Sequence, residues 1–242
     1  MIKELDYNRH YRWWHDESDE HFHATSAESA KWLSRYWPQD KSAKILDIGC
    51  GMGFMLGAFR SAGFVAAVGI DANQGQLAST LKRGFTAEYV PTEHTLAWLA
   101  ARKGQFDFIT AVDVIEHIPK QQQIATLSAI REALKSGGTF LCRVPNANSI
   151  VAAPHFFADW THETAFTEHS LDFVLHNAGF GDIRVEDADP FKWRISYITK
   201  PYWWLCGFFR FWRRLELAAE FGRVRAKNAP LSTNIIGIGR NA

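Results

Sequence analysis

"ILDIGCGMG", residues 45–53, reads in two halves. Ile45 to Ile48 make a short apolar run with one acid, Asp47, inside it, and Gly49, Gly51 and Gly53 then alternate. So short an apolar run, ended by glycines, predicts a buried strand. The glycines let the backbone turn sharply and approach a ligand with no Cβ in the way. "FMLGAFRSAG", residues 54–63, follows with helical spacing and Gly63 as its stop. Strand, glycine loop and helix together present the unpaired N–H groups of a helix start. Alone, a G-x-G-x-G loop is a weak signal that a nicotinamide cofactor would fit nearly as well.

Outward from this loop the pattern repeats. "VAAVGID" (65–71), "FTAEYV" (85–90), "FDFITAV" (106–112) and "TFLCRVP" (139–145) read as further strands. Between them "NQGQLASTLKRG" (73–84), "TEHTLAWLAARKG" (92–104) and "QQQIATLSAIREALKSGG" (121–138) read as helices, the last closed by its glycine pair. A helix over 167–180 opened by a capping Thr167, a strand over 181–188 and a last strand over 232–240 complete the chain. Such alternation predicts an α/β fold, a doubly wound and mostly parallel seven-stranded sheet. The 242 residues suit one such domain, 41–242, preceded by an N-terminal lid segment, 1–40. The connection over 188–230 is far longer than a hairpin needs and reads as an insertion.

Asp71 ends the second strand about 20 residues beyond the loop, where a carboxylate can grip both hydroxyls of an adenosine ribose. The plainer reading is a cap for the next helix, and the glycine loop puts binding ahead of it. Here a resemblance becomes specific. "ILDIGCGMG", "GIDANQ", "FDFITAVDVIEHIP" and "LKSGGTFLCRVPN" stand in the order and spacing of class I S-adenosylmethionine-dependent methyltransferases, over roughly residues 40–187. That resemblance implies a Rossmann-like sheet ending in an antiparallel strand. It also implies that Gly49, Cys50, Gly51, Gly53, Asp71, Ala72 and Asp113 contact S-adenosylmethionine, with Asp47 supporting the loop. A dehydrogenase fits less well, because "LDIGCGMG" departs from G-x-G-x-x-G.

"TAVDVIEHIPK", residues 110–120, crowds Asp113, Glu116 and His117 at a strand tip. A turn of helix starting at Asp113 would put Glu116 on the same face. Carboxylates and imidazole at one point suit a divalent cation, Mg²⁺ or Mn²⁺, that polarises a hydroxyl. "DVIEHI" resembles the metal-binding E-x-x-E-H of small-RNA 2′-O-methyltransferases and ubiquinone-biosynthesis O-methyltransferases, with Asp113 in place of the first Glu. Their further His corresponds to His162 in "ADWTHETAFTEHSL". Without a metal, His162 or His117 is the expected general base, with Glu116 beside it. The alternative is that Glu116 and His117 are structural punctuation. No N/D-P-P-Y tetrapeptide follows the fourth strand, so the expected acceptor is oxygen. His10, His15, His21 and His23 read as surface residues of the lid segment.

Charge is divided along the chain. Residues 1–191 carry 17 Lys/Arg and 24 Asp/Glu, a net of −7, and residues 192–242 carry 10 and 2, a net of +8. Within the basic part "YITKPYWWLCGFFRFWRRL" (197–215) crowds aromatic side chains beside arginines. Residues 192–227 are therefore expected to make peripheral membrane contact or to join a second copy. Nucleic acid is disfavoured because the acidic body would repel phosphates. Cys50, Cys142 and Cys206 have no metal spacing and read as free thiols. No signal peptide or spanning run is visible, which predicts a cytoplasmic protein, at the inner face of the membrane if the arm meets lipid.

The functional expectation is an O-methyltransferase acting on a hydroxyl of a sugar or glycolipid in surface-polysaccharide synthesis, since "DWTHETAFTEHSLDFVLHNAGF" resembles methyltransferases of such pathways. A quinone or small-phenol O-methyltransferase is the nearest alternative. A cofactor-binding scaffold protein that has lost catalysis is the alternative of a different class.

Overall fold

Seven strands pair into one sheet in the order β3-β2-β1-β4-β5-β7-β6. They are β1 Ile45–Ile48, β2 Ala67–Asp71, β3 Thr86–Tyr89, β4 Phe106–Val112, β5 Leu134–Pro145, β6 Gly181–Asp187 and β7 Asn234–Arg240. The computed structural model describes residues 7–188 and 203–242. Residues 1–6 of the lid segment and 189–202 of the insertion, including the start of the aromatic stretch, lie outside the described residues. Strands β1 to β5 pair in parallel, and β7 runs antiparallel between β5 and β6. The expected antiparallel closing strand is therefore present.

Two-sided burial explains the continuous apolar strands. On one face Leu46, Ile109, Phe140, Cys142 and Ile235 join Leu127 and Ile130 of α6 (Lys120–Ala133) and Leu171 and Leu175 of α8 (Glu168–Asn177). On the other, Ile45, Phe108, Leu141 and Ile236 meet Met55 and Phe59 of α3 (Phe54–Ser61) and Leu33 of α2 (Asp19–Leu33). Successive strand residues point to opposite faces, so neighbours such as Ile45 and Leu46 enter different cores. Helices α4 (Gln74–Lys82) and α5 (Thr95–Ala100) complete the winding. The sites for ligands then lie beyond the carboxyl ends of β1, β2 and β4.

The largest boundary difference from the sequence reading is at α6. Helix α6 stops at Ala133 rather than at the glycine pair, and Leu134 is already extended with ψ 143°. Leu134 is buried and pairs with Phe106, so the core takes its side chain and ends the helix early. The predicted cap of α8 holds: Thr167 accepts from the Ser170 N–H, and Ser170 reciprocates.

The lid segment has a short α1 (Tyr7–Tyr11), and Ser18 caps α2 by accepting from the His21 N–H at 3.2 Å. Phe22 packs so closely on α3 that a Cβ on Gly57 would meet it at 2.7 Å. Beyond β5 comes α7 (Ala152–Phe156), and the insertion contains α9 (Trp203–Phe221) and α10 (Arg223–Asn228). A small core of Leu217, Ala226, Ala229 and Leu231 joins the last two. Among the described residues no helix is long and apolar enough to cross a membrane.

Candidate active site

The carboxyl ends of β1, β2, β4 and β5, the lid segment and the 146–162 region enclose a cavity of about 800 Å³. Its floor is the glycine loop. Gly49 and Gly51 have φ of +70° and +50°, which side-chain-bearing residues rarely adopt. A Cβ on Gly49 would also collide with Val114. The Gly49 and Cys50 N–H groups both donate to the Ile70 carbonyl, at 2.8 and 3.0 Å, tying the loop to β2. Gly53 starts α3 and does not line the cavity. It donates to the Cys50 carbonyl at 2.8 Å and shapes the loop. The Cys50 thiol is buried against Gly69, and burial pushes its pKa up.

Asp71 holds the loop to the next helix. Its two carboxylate oxygens accept from the Gly51 N–H at 2.7 Å and the Asn73 N–H at 2.6 Å. It does not cap α4, because Asn73 does so by accepting from the Gln76 N–H. Each carboxylate oxygen has a second lone pair, so Asp71, which lines the cavity with Ala72, can still accept from ligand hydroxyls. Burial raises its pKa, and the two backbone donors oppose that rise. Asp47 is the residue expected to support the loop. It is buried beneath the loop, accepts from the Thr110 hydroxyl at 2.7 Å, and leaves its second oxygen without a partner. Burial lifts its pKa to about 7.

The lid segment closes one side. The Tyr11 hydroxyl lies over Gly51, 3.3 Å from where a Cβ would stand. Trp14 and His15 line the cavity. His15 is not the surface residue anticipated. Its Nδ1 is 2.9 Å from Nε2 of His21, and burial, then His21, lowers its pKa to about 4. His10 and His21 are also partly buried, whereas His23 is exposed as expected.

At the tip of β4 the chain does not form a helical turn from Asp113. Asp113 takes φ +56°, and a single 3-10 turn spans Ile115–His117. The Asp113 carboxylate turns to Arg143 of β5, accepting from its Nε at 3.1 Å and from Nη2. It is therefore a supporting acid, outside the group that could ligate a metal. That group, among the described residues, is Glu116, His117 and His162, whose candidate ligand atoms all lie within 4.8 Å of one another. The Glu116 carbonyl accepts from the Glu163 and Thr164 N–H groups at 2.8 and 3.2 Å, which draws His162 across from a distant stretch of chain.

The hydrogen bonds assign the imidazole tautomers. Thr161 Oγ1 donates to Asp159 at 2.6 Å, so its contact with His117 Nδ1 at 2.9 Å receives a proton from the ring. His162 Nδ1 donates to the Phe156 carbonyl at 2.8 Å. Both rings thus leave Nε2 as the basic nitrogen, the arrangement that outer hydrogen bonds give metal-ligating histidines. Burial, then His162, lowers the His117 pKa, which keeps that ring neutral. Glu116 is fully buried, and among the described residues neither carboxylate oxygen has a hydrogen-bond partner. Burial first, and Asp113 second, raise its pKa well above the ordinary carboxylate range. An orphaned carboxylate beside two such rings fits a divalent cation.

Motif reading missed several wall residues. Trp32, Arg143, His155, Asp159 and Asn234 all line the cavity, and His155 Nε2 meets the Asn234 side chain at 2.9 Å. Arg143 and Asp159 stand inside quoted motifs but are given no role there, and only folding brings the five together here.

Comparison with known proteins finds relatives of this chain and of its fold. A family described as methyltransferase domain matches residues 20–185. A ubiquinone biosynthesis O-methyltransferase of Bordetella avium is 29% identical over 57% of this chain and 57% of its own length. One of Dinoroseobacter shibae is 36% identical over 45% of this chain and 43% of its own. The chain thus spans about half the length of these curated relatives. A solved SAM-dependent methyltransferase from Archaeoglobus fulgidus shares the fold, with a TM-score of 0.65 at 18% identity over 89% of this chain and 94% of its own.

Proposed function

The chain belongs to the methyltransferase domain family, and from that premise we propose that it moves the methyl group of S-adenosylmethionine to a hydroxyl oxygen. The observation that carries the choice of oxygen is the convergence of Glu116, His117 and His162 on the cavity whose floor is the glycine loop. When bound, S-adenosylmethionine supplies a methyl group on a positively charged sulfur. Gly49 and Gly51 would let the backbone come close to it, and Asp71 would accept from its ribose hydroxyls. The Tyr11 to His15 segment covers the loop and excludes water.

Glu116, His117 and His162 would hold a divalent cation, which would lower the pKa of an acceptor hydroxyl. Phe156 and Thr161 keep the two Nε2 atoms unprotonated for that role. The acceptor we favour is a quinone-type phenol. The curated relatives carry that activity in their names, and Trp14, Trp32, Phe54 and Pro145 wall the cavity with flat apolar surface. This reading replaces the sugar hydroxyl expected from the sequence.

Turnover of labelled S-adenosylmethionine with phenolic and sugar acceptors tests the proposal. Transfer to phenols, abolished by a chelator and restored by Mg²⁺ or Mn²⁺, is the expected result. Full activity in excess chelator would leave His162 or His117 as general base. Cofactor binding with no transfer to either acceptor class would favour the non-catalytic alternative.

A further inference from the structure

Outside the cavity, one set of apolar side chains has no place in methyl transfer. Along α9, Trp204, Phe208, Phe211, Trp212 and Leu215 recur at helical spacing, each 47–56% exposed. Phe221, at the end of α9, and Val224 of α10 are exposed as well, at 57% and 79%. The opposite side of α9 is packed through Leu217 onto Ala226, Ala229 and Leu231. Scattered exposed apolar residues are ordinary, but a contiguous stripe marks an interaction surface.

The stripe is coupled to the mouth of the cavity. Arg213 Nε donates to the Asn148 carbonyl at 3.2 Å, fastening α9 to the segment that carries His155 and His162. That segment also exposes Phe157 at 78% and Trp160 at 86%. Facing it, the His10–Asp159 ion pair at 3.3 Å brings up the lid, with Trp13 at 81% and Trp14 at 58%. Two lips of the mouth and one long helix thus present aromatic rings that are half or more exposed.

Charge selects the occupant. Residues 203–228 carry six Lys/Arg and two Glu, a net of +4. Arg213 and Arg214 do not flank the stripe as the sequence suggested. Arg213 is held by Asn148 and Glu216, and Arg214 by the Ala226 and Lys227 carbonyls. Arg223 and Lys227 remain exposed beside Phe221 and Val224. A second copy stacked on this face would set one net +4 against another, whereas an anionic bilayer compensates it. Aromatic rings with nearby cations are also the pattern of interfacial helices. We propose that α9, with the aromatic lips of the cavity, docks on an anionic lipid surface.

The test uses the full chain and phosphatidylcholine vesicles with and without phosphatidylglycerol. Wild type should pellet with the anionic vesicles, and Phe208→Ser combined with Trp212→Ser should lower the bound fraction about tenfold or more. Arg223→Gln with Lys227→Gln should weaken binding at low salt and matter little at high salt. Thermal unfolding checks that these variants fold. If the aromatic pair does not, quenching of wild-type tryptophan fluorescence by brominated lipid reads the same contact. The proposal is overturned if wild type ignores anionic vesicles, or if neither variant alters binding. A solution dimer that dissociates in the Phe208/Trp212 variant would also overturn it, by showing that a second copy covers the stripe.

Discussion

Two acidic strand ends face the same cavity, and they are solved in opposite ways. At the tip of β2, Asp71 gives each oxygen a backbone N–H, at 2.7 and 2.6 Å. Beyond β4, Glu116 is fully buried and its oxygens have no hydrogen-bond partner among the described residues. The first carboxylate is preorganised by its own chain and keeps spare lone pairs for a ligand. The second is held in an environment that penalises its charge until something positive arrives. One carboxylate is thus satisfied by its own backbone, while the other is left electrostatically incomplete, as the proposed cation site requires.

The largest expected effect separates chemistry from binding. His162→Ala or Glu116→Gln should slow methyl transfer by about 10²–10⁴-fold, in the range typical for loss of a group acting on the reacting proton. S-adenosylmethionine affinity by calorimetry should stay within a factor of a few. A matching loss of affinity would erase the distinction between the two strand ends.

Asp71→Ala should do the reverse. It removes charge-assisted hydrogen bonds and the tie between Gly51 and Asn73, costing about 1.5–3 kcal/mol of cofactor binding. Calorimetry that finds unchanged affinity would make Asp71 a purely internal brace.

A third expectation concerns stability in excess chelator. The Glu116 pKa is raised in the folded chain, so its contribution is intact below the ordinary carboxylate range and is lost as pH rises towards the raised value. Glu116→Gln lacks that loss. At pH 8 the variant should unfold later than wild type, by about 1 kcal/mol or more, because the buried carboxyl must hold its proton or ionise unpaired and the amide does neither. A variant less stable than wild type would mean that Glu116 has a compensating partner.

The smallest effect belongs to the lid. The His15 pKa is lowered to about 4, so stability present above the unfolded value, near 6.5, is lost as pH falls through 4. His15→Gln should flatten that acid limb in thermal melts by less than about 1 kcal/mol, because the ring is partly solvated. An identical limb in both proteins would assign the acid sensitivity elsewhere.

Much of this was legible in the residues, for reasons that stay within one element. Strands buried on both faces write themselves as continuous apolar runs, and "KILDIG" and "FDFITAV" could be placed on that ground. Positive φ favours glycine, so the loop at 49–53 announced itself, and Thr167 capped α8 as read because a cap bonds only to its own first turn. The helix end at Ala133 escaped, since Leu134 was claimed by a core partner 28 residues earlier in the chain, Phe106. Asp113 shows the same limit within the site. Its spacing to Glu116 suggested a shared face, but Arg143 on the adjacent strand turned it away. Sequence alone determined the winding of the sheet, the ligand loop and the kinds of side chain at each strand end, because propensity, periodicity and glycine geometry are local. Tertiary structure alone decided which of those side chains meet. The Glu116 carbonyl had to capture residues 163 and 164 before His162 could join the group, and the low dielectric that leaves Glu116 charge-averse exists only once the core has closed around it.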